Sequence, residues 1–392
     1  MELRHMSTES QIFTVTRMAH GGEGIATAED GRVVFVAGAY PGDQVRAELT
    51  KVKKRFARAR TLEVLEAGRY RGEQTCPTAA HGAGCCDFGD VVPELEAELK
   101  AEVLTGQLSR LRGIEIPELS VRALKPHRGW RTRVRLGTDA KGRVGMRRRG
   151  SREVITEQRC TQPVPELLDG LAPATGGAEV VAVWDSEGQR HVVETRSAAR
   201  GRRTEKIIRV LEGPGEVTER VGEHTFVFPP TAFWQAHAAA PEAYSGLVTE
   251  WLSDVEADVA WDLYGGVGLF VPAIAQATGE DTRIISVDYS EAADIEQPGV
   301  ERVNARVEEA VAKLPDPEVV VLDPPRTGAG NDVITRVAHT APQRVIHIGC
   351  DPATFVRDIR SWWESGYRIQ RLELIDAFPG THHFEVIAQL GR

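Results

Sequence analysis

Residues 345–355 read Val-Ile-His-Ile-Gly-Cys-Asp-Pro-Ala-Thr-Phe, a short β-branched run that ends abruptly at a cysteine. The run predicts a buried strand, and Asp351-Pro352 predicts a helix start, because proline suits the first helical turn. The Cys350 thiol is therefore expected at the carboxyl end of a strand, where open α/β sheets bind their ligands. An isolated cysteine is usually an inert core residue, but a deprotonated thiol in such a place is a good nucleophile.

Two neighbouring segments favour a reactive thiol over an inert one. Residues 319–326 (Val-Val-Val-Leu-Asp-Pro-Pro-Arg) predict a second strand that ends in Asp323 and a double proline, followed by Arg326. Residues 379–388 lead into a third strand with Glu385 at its start. A nucleophile, a phosphate-compatible arginine and a candidate base are thereby expected at one edge of a sheet.

From Phe233 onward, apolar strands alternate with helical segments, which predicts a doubly wound α/β domain over residues 233–392. Residues 233–237 lead into a helix that is expected to run through Trp251. The predicted strands are residues 259–262, 284–288, 319–322, 345–348, 369–375 and 384–389.

A glycine-rich loop, residues 262–270 (Asp-Leu-Tyr-Gly-Gly-Val-Gly-Leu-Phe), follows the first of these strands. Glycines let a backbone approach a ligand closely. The dinucleotide fingerprint requires a further glycine where Val271 stands, which disfavours NAD. The loop instead resembles the glycine-rich motif of S-adenosylmethionine enzymes, and Asp288, at the end of the next strand, is placed to bond ribose hydroxyls.

The bulk composition limits the class of protein. A chain of 392 residues predicts two or three domains, and a hydrophobic fraction of 41% is sufficient for their cores. No run of about 18 apolar residues occurs, so no membrane span is expected. The first residues lack the apolar segment of a signal peptide, and the expected location is therefore cytoplasmic.

Basic residues cluster in three runs, although the net charge of the chain is −9. The runs comprise Lys51, Lys53, Lys54, Arg55, Arg58 and Arg60; then the stretch from Arg122 to Arg152; then Arg200, Arg202 and Arg203. A charge run is often only a solvated face, but affinity for phosphates depends on local basic surface rather than on the sum. With Phe56 and Trp130 interleaved, the distribution favours binding of RNA or DNA.

The N-terminal residues 1–67 predict a small barrel. Short apolar runs at 33–36, 45–49 and 61–64 are separated by the turn pairs Gly21-Gly22, Asp30-Gly31 and Pro41-Gly42. Several short strands at close spacing are typical of OB-like barrels.

Residues 68–232 predict a mixed α+β central domain. Residues 92–113 have helical periodicity, and residues 172–178 are a glycine-rich loop. Arginine alternates along the predicted strand 131–135, which puts these side chains on one face. Such a face is poor core and good phosphate surface, so the central domain is expected to bind RNA.

Four of the five cysteines indicate a metal site. Cys76, Cys85 and Cys86 share one glycine-rich loop, and Cys160 follows the basic stretch. Four thiolates suit a [4Fe–4S] cluster or a structural zinc ion, with His81 as a substitute for one ligand. Adjacent cysteines at 85 and 86 are awkward as joint ligands, because successive side chains diverge.

Two family resemblances connect these parts. Residues 22–25 (Gly-Glu-Gly-Ile) together with 33–36 and 40–43 (Tyr-Pro-Gly-Asp) resemble a TRAM domain, an RNA-binding barrel. The whole chain resembles the RNA uracil-C5 methyltransferases that act on tRNA or 23S rRNA. The most specific matches are residues 323–326, 349–354 and 381–385.

The resemblance implies a role for individual residues. It implies Cys350 as the nucleophile and Glu385 as the general base. The positions that it assigns to binding of S-adenosylmethionine are Gln235, Tyr264, Gly266, Asp288 and Asp323. It implies a [4Fe–4S] cluster at the four cysteines, with an RNA substrate and no evident protein partner, and it slightly favours rRNA over tRNA.

The chain departs from the family pattern at several positions. Cys85 and Cys86 are adjacent where the family has Cys-Gly-Gly-Cys, which puts the ligand geometry in doubt. Gly265 stands where the family often has cysteine, and Leu269 where it often has asparagine. Arg306 occupies a position that is often uncharged and is not included in the site.

Three other functions compete with uracil methylation. Cytosine-C5 RNA enzymes carry a cysteine just after the proline motif, where this chain has Arg326-Thr327. Amino-group methylases close that motif with an aromatic residue and need no thiol. A non-catalytic RNA-binding or chaperone protein with a vestigial donor site is disfavoured by the intact Cys350 and Glu385.

Overall fold

The structure is a computed structural model that describes residues 10–200, 203–290 and 299–392, without the side chains of residues 198–205. The basic run of Arg200, Arg202 and Arg203 therefore lies outside the described side chains. Among the described residues, no helix combines the length and the apolar character needed to cross a membrane.

The N-terminal strands form a closed sheet. They are β1 (Ser10–Thr14), β2 (Arg17–Met18), β3 (Glu23–Thr27), β4 (Val33–Ala37), β5 (Gln44–Val52) and β6 (Phe56–Glu66). Their order is β1-β5-β6-β4-β3-β2, so the two edge strands are consecutive in the chain and only residues 15–16 separate them. Val15 donates to Asp43 and Thr16 to Ile25, which closes the sheet into the predicted barrel.

The next segment contributes strands to three different sheets. Its elements are α1 (Pro77–Ala80), α2 (Pro93–Leu108), β7 (Leu119–Ala123), β8 (Arg133–Thr138), β9 (Val144–Arg147), β10 (Val154–Ile155), α3 (Pro165–Leu168), β11 (Glu179–Trp184), β12 (Arg190–Arg200), β13 (Arg203–Glu212), β14 (Val217–Val221) and β15 (His224–Phe228). Strands β8 to β13 form an antiparallel sheet in the order β10-β9-β8-β11-β12-β13, and β14 pairs with β15.

The C-terminal part is an α/β sheet. It contains α4 (Ala240–Leu252), β16 (Val259–Leu263), α5 (Val271–Thr278), β17 (Arg283–Asp288), β18 (Val300–Asn304), α6 (Val307–Ala310), β19 (Val319–Leu322), α7 (Asn331–His339), β20 (Arg344–Gly349), α8 (Pro352–Glu364), β21 (Arg368–Asp376) and β22 (Glu385–Gly391). The strand order is β18-β17-β16-β19-β20-β22-β21-β7, and only β22 runs antiparallel.

Both faces of this sheet are covered by helices, because its strands are apolar on both sides. Along β16, Trp261 and Leu263 pack into one core with residues of α2, α7 and α8. Ala260 packs into the other core, with residues of α4 and α5. The arrangement confirms the predicted doubly wound α/β domain.

Helix α2 and strand β7 precede the predicted start of the C-terminal domain. Strand β7 nevertheless joins the sheet of that domain, and α2 packs against one face of it. Strand β7 pairs with the edge strand β21 and so covers its free backbone groups. On α2, Lys100 forms buried ion pairs with Glu96 at 2.7 Å and with Asp376 at 2.6 Å. Residues 93–123 and residues 368–376 therefore build this side of the sheet together.

Candidate active site and cysteine cluster

Cys350 and Glu385 face each other across two paired strands. In the antiparallel pair β20–β22, Gly349 lies opposite Val386, so the next position in the register sets Cys350 opposite Glu385. Side chains of opposite residues leave the same face, with Cβ atoms about 4.5–5.5 Å apart. Glu385 is buried, whereas Cys350 is partly exposed.

Titration of this pair is perturbed by burial and by neighbouring charge. Burial raises the pKa of the Cys350 thiol to about 12, and the carboxylates of Glu385 and Asp323 add to this effect. Burial, followed by the charge of Asp323, raises the pKa of Glu385 well above its ordinary value. Burial, followed by the charge of Asp262, raises the pKa of Asp323 to about 7. Such mutual perturbation in a cleft is typical of functional sites.

The thiol opens into a cavity of about 220 Å³ that is lined by His20, Gly21, Arg326, Cys350, Asp351, Pro352, His382, His383 and Phe384. These residues come from three regions: the barrel, the loop and helix start after β19 and β20, and the segment before β22. The Arg326 guanidinium is 2.8 Å from His383 Nδ1. Burial lowers the pKa of His383 to about 3, so the neutral ring accepts this hydrogen bond.

The barrel reaches the cavity through the turn between β2 and β3. A Cβ atom at Gly22 would lie 2.9 Å from His382 Cβ and 3.1 Å from an Asp87 carboxylate oxygen. Gly22 also has a φ of 75°, which favours glycine independently of this contact. The turn therefore packs closely against the segment before β22, and His20 forms part of the cavity wall.

The four predicted metal ligands lie together. The sulfur atoms of Cys76, Cys85, Cys86 and Cys160 are all within 4.8 Å of one another. Cys76 Sγ is 3.8 Å from Cys85 Sγ, and Cys86 Sγ is 3.6 Å from Cys160 Sγ. The adjacent cysteines 85 and 86 thus both point into the cluster, despite the expected divergence. His81 is exposed, and its Nδ1 lies 2.8 Å from Pro77 O instead.

Four converging thiol groups fit a metal site, and their spacing bears on its occupant. A zinc ion with Zn–S bonds of about 2.3 Å makes a tetrahedron with edges of about 3.8 Å, close to the observed separations. A [4Fe–4S] cluster is larger than a single ion, so it would require the sulfurs to move apart.

The cysteine loop is fastened to the segment that carries His382 and His383. The Asp87 carboxylate accepts from the His382 backbone N–H at 3.2 Å and also bonds the His382 ring. The Phe88 N–H donates to Gly380 O at 3.0 Å. On the other side of the cluster, Gln162 Nε2 donates to Cys85 O at 2.7 Å. Because Asp87 directly follows Cys86, the position of the cluster sets the position of His382.

The glycine loop follows β16 and lies, like Cys350, at the carboxyl ends of the parallel strands. Tyr264 has a positive φ of 62°, an unusual conformation for a residue with a side chain. Asp288 accepts hydrogen bonds from Gly266 N at 3.0 Å and from Ser290 N at 2.6 Å. The acid that the sequence assigned to ribose recognition therefore also holds the glycine loop, and carboxylate oxygens retain further acceptor capacity.

Gly265 occupies a position that no larger residue fits without movement. A Cβ atom there would lie 2.2 Å from Asp262 Oδ2 and 2.4 Å from Ser286 Oγ. Arg302 donates to Ser286 Oγ at 2.7 Å and to Gly266 O at 3.1 Å, and so links the loop to β17. Where the family often has cysteine, this chain has glycine, and the buried Asp262 carboxylate lies directly beneath that position.

Gln235 is buried in the segment that precedes α4, and Asp323 follows β19. Tyr244 on α4 is fully buried, and its hydroxyl has no hydrogen-bond partner among the described residues. Burial, followed by the charge of Glu385, raises the pKa of Tyr244 well above its ordinary value.

Sequence reasoning missed several contributors to this site. Tyr244 and Arg302 carry no local signal, because each sits in an ordinary helix or strand pattern. His20 could not be assigned, because its role depends on how the barrel docks. Asp87 offered the only hint, through its place directly after the paired cysteines.

Comparisons with known proteins agree with these features. A family model described as tRNA (Uracil-5-)-methyltransferase matches residues 282–392, and a TRAM domain model matches residues 11–62. An RNA methyltransferase of Corynebacterium efficiens is 50% identical over 395 residues, covering 96% of this chain and 94% of the relative. One from Streptomyces avermitilis is 32% identical over 415 residues, covering 95% of this chain and 96% of the relative.

A solved structure has the same fold over nearly the whole chain. It is Pyrococcus abyssi tRNA (uracil-54, C5)-methyltransferase in complex with S-adenosyl-L-homocysteine, with a TM-score of 0.72 and 20% identity. The match covers 96% of this chain and 99% of that chain. The chain therefore belongs to the RNA methyltransferases, with residues 282–392 matching the tRNA (Uracil-5-)-methyltransferase model and a TRAM domain at residues 11–62.

Proposed function

We propose that this protein methylates C5 of a uridine in tRNA or rRNA, with S-adenosylmethionine as the methyl donor and Cys350 as a covalent nucleophile. The strand register that sets Cys350 opposite Glu385 is the observation that carries this assignment. The glycine loop opens at the same sheet edge, and the Pyrococcus abyssi protein with this fold was solved with the demethylated donor bound.

The chemistry requires both side chains, because C5 of uracil is a poor nucleophile on its own. The Cys350 thiolate forms a bond to C6, and the electron pair of the C5–C6 double bond moves to give an enolate-like C5. C5 then attacks the methyl carbon of S-adenosylmethionine; the S–CH3 bond breaks, its electron pair stays on sulfur, and S-adenosylhomocysteine leaves. Holding the reacting atoms in line is the main contribution of the site to this step.

The reaction ends when a base removes the C5 proton. Glu385 takes this proton, the C5–C6 double bond re-forms, and the electron pair of the S–C6 bond returns to Cys350. Its raised pKa makes Glu385 a stronger base than an exposed carboxylate. Asp323 shares the buried negative charge, and Arg326 partly offsets it for the thiol.

Donor binding is assigned to the residues around the glycine loop. Tyr264 and Gly266 form the loop itself, and Asp288 fixes it through Gly266 N. Gln235 and Asp323 complete the set that the family resemblance implies. Tyr264 and Gly266 both have positive φ angles, and the missing side chain at Gly266 lets a ligand approach its backbone closely.

The RNA must present an unstacked uridine, because C6 is inaccessible within a duplex. His20 and Arg326 line the cavity above the thiol, and the barrel and the basic central segment would hold the flanking backbone. For the four-cysteine site we propose the [4Fe–4S] cluster that the family resemblance implies, with zinc as the alternative that the observed sulfur separations fit. Either occupant would have a structural role, because the site fastens the segment that carries His382 and His383.

Two variants test the proposed function. Cys350→Ala should bind RNA and S-adenosylmethionine but transfer no methyl group, and normal turnover would refute the covalent route. Glu385→Gln should accumulate an RNA–protein adduct that survives denaturing gels. Mass analysis of nucleosides after reaction should show 5-methyluridine; methylcytidine or an N-methylated base would instead indicate a different target. Reaction of separate tRNA and rRNA pools identifies the substrate class.

A further inference from the structure

A second cavity, of about 540 Å³, lies between the start of β8 and the segment before α4. Four of its lining residues are cationic, namely Arg131, Arg133, Arg135 and Lys206. Trp234 and Ala236, the neighbours of Gln235, line its other side. Ser290, two residues after Asp288, also lines it, so the cavity adjoins the donor-binding segments.

Arg133 differs from the other cations in this cavity, because it is buried and unsatisfied. Its side chain is 10% exposed, and none of its three guanidinium nitrogens has a hydrogen-bond partner among the described residues. The nearest described carboxylate, Glu219, is 3.9 Å away, beyond hydrogen-bond distance. The guanidinium lies over the Phe228 ring, 5.6 Å from its centroid.

Leaving such a group unpaired is energetically unfavourable. A buried guanidinium loses its hydration, and the Phe228 ring and a carboxylate at 3.9 Å do not replace the hydrogen bonds that its donors made to water. Burial lowers the pKa of Arg133 to about 10, and the partial offset by Glu219 does not restore it. Arg135, two residues along the same strand, is exposed and donates to Glu179 at 2.9 Å. The exposed Arg135 therefore has a hydrogen-bond acceptor, whereas the buried Arg133 has none among the described residues.

We propose that Arg133 binds a backbone phosphate of the RNA substrate within this cavity. A backbone phosphate offers two non-bridging oxygens that the planar fork of guanidinium donors can bond at once, and it supplies the negative charge that the buried cation lacks. Arg131, Arg135 and Lys206 extend the positive surface along the cavity, which suits a chain of phosphates. This inference rests on the proposed function, since the ligand is the RNA that is methylated.

The carboxylate of the methyl donor is the alternative anion, because the cavity adjoins the donor-binding segments. A single carboxylate would engage one cation and would leave the remaining cations of the cavity without a partner from the ligand. The two sources are separable, because RNA affinity and donor affinity can be measured independently.

The test uses the full chain with the Cys350→Ala substitution as background, so that binding is measured without turnover. Arg133→Met is compared with Arg133→Lys and with the matched control Arg283→Met, which removes an exposed arginine paired with Glu301 at 2.6 Å. The measurements are the Kd for an unmodified oligouridylate from 50 to 200 mM salt, the Kd for S-adenosylhomocysteine, and the Tm.

For Arg133→Met we expect RNA affinity to fall roughly 10- to 100-fold, as for loss of a hydrogen bond to a charged group. The slope of log K against log salt should decrease by about 0.7, the loss of one single-strand phosphate contact. Arg133→Lys should be intermediate, because lysine keeps the charge without the fork. S-adenosylhomocysteine affinity should not change, and Tm should be unchanged or higher, because methionine removes an unpaired buried cation.

Two outcomes would overturn the inference. Unchanged RNA affinity with a lowered Tm would make Arg133 a structural residue, and weakened S-adenosylhomocysteine binding with normal RNA binding would assign it to the donor. Failure of the proposed function is seen separately, as absence of 5-methyluridine from reactions of the unsubstituted protein. RNA affinities remain measurable in that case.

Discussion

Glu385→Gln should make the Cys350 thiol more acidic while it abolishes methyl transfer. Cys350 and Glu385 come one position beyond the pair Gly349–Val386, so we expect their Cβ atoms to be about 5 Å apart. At an effective dielectric constant of about 20, a unit charge at that distance contributes about 3.3 kcal/mol, or roughly 2.4 pKa units. Because the thiol is partly exposed, we halve this and expect its pKa, about 12 in the unsubstituted protein, to fall by about one unit.

The sign of the effect follows from the charge that is removed. An ionised Glu385 disfavours a neighbouring thiolate, so a neutral glutamine increases the thiolate fraction about ten-fold at those pH values where Glu385 is ionised and the thiol is still mostly protonated. A less basic thiolate is also less reactive, by about three-fold per pKa unit. The net expectation is alkylation of Cys350 about three-fold faster, with the ratio growing as rising pH ionises Glu385.

The assay is iodoacetamide labelling between pH 8 and 10.5, with the Cys350 peptide quantified by mass spectrometry. Glu373→Gln is the matched control, because Glu373 is a buried carboxylate of the same sheet that pairs with Arg122. Methyl transfer by Glu385→Gln should fall by about 10²–10⁴. Slower labelling in this variant, or equal labelling in both variants, would refute the proximity of the charge to the thiol.

Three further predictions concern the metal, the donor loop and the sheet edge. Anaerobically purified protein should be brown with about four irons per chain; one zinc and no iron would overturn this, and the present sulfur spacing would hold that ion without movement. Gly265→Ala should raise the KM for S-adenosylmethionine at least about ten-fold, because the new Cβ meets Asp262 Oδ2 at 2.2 Å; Gly246→Ala, which meets nothing within 4 Å, should not. Lys100→Ala should lower the free energy of unfolding by about 3–5 kcal/mol in denaturant titration, because it leaves two buried carboxylates unpaired; a loss below 1 kcal/mol would contradict this.

Local features of the α/β sheet could be predicted from the sequence. The helix after Cys350 begins as expected at Pro352, because the Asp351 side chain accepts from Ala353 N at 3.0 Å and Thr354 N at 2.9 Å. The strands of residues 319–322 and 345–348 were predicted within a residue or so of their ends. These elements depend on short-range patterns that a single segment carries completely.

The relations between distant segments could not be predicted in the same way. Strand β22 inserts between β20 and β21. Strand β21 in turn pairs with β7, which lies more than 240 residues earlier in the chain. Strand β18 was missed, because residues 300–304 are polar and half exposed, as an edge strand permits. Register and docking depend on long-range packing, so they leave no trace in local periodicity.

The segment between β21 and β22 connects the N-terminal two fifths of the chain to the proposed active site. Both backbone groups of Gly380 are taken up by that part: Glu96 accepts from its N–H at 2.8 Å, and Phe88 N–H donates to its carbonyl at 3.0 Å. Trp130 Nε1 donates to Pro379 O at 3.2 Å. The turn of the barrel closes over the same segment. The proposed general base follows this segment directly, so its position depends on the barrel, the cysteine loop and helix α2 together. An RNA that binds the barrel therefore contacts a domain whose docking also shapes the cavity above the thiol.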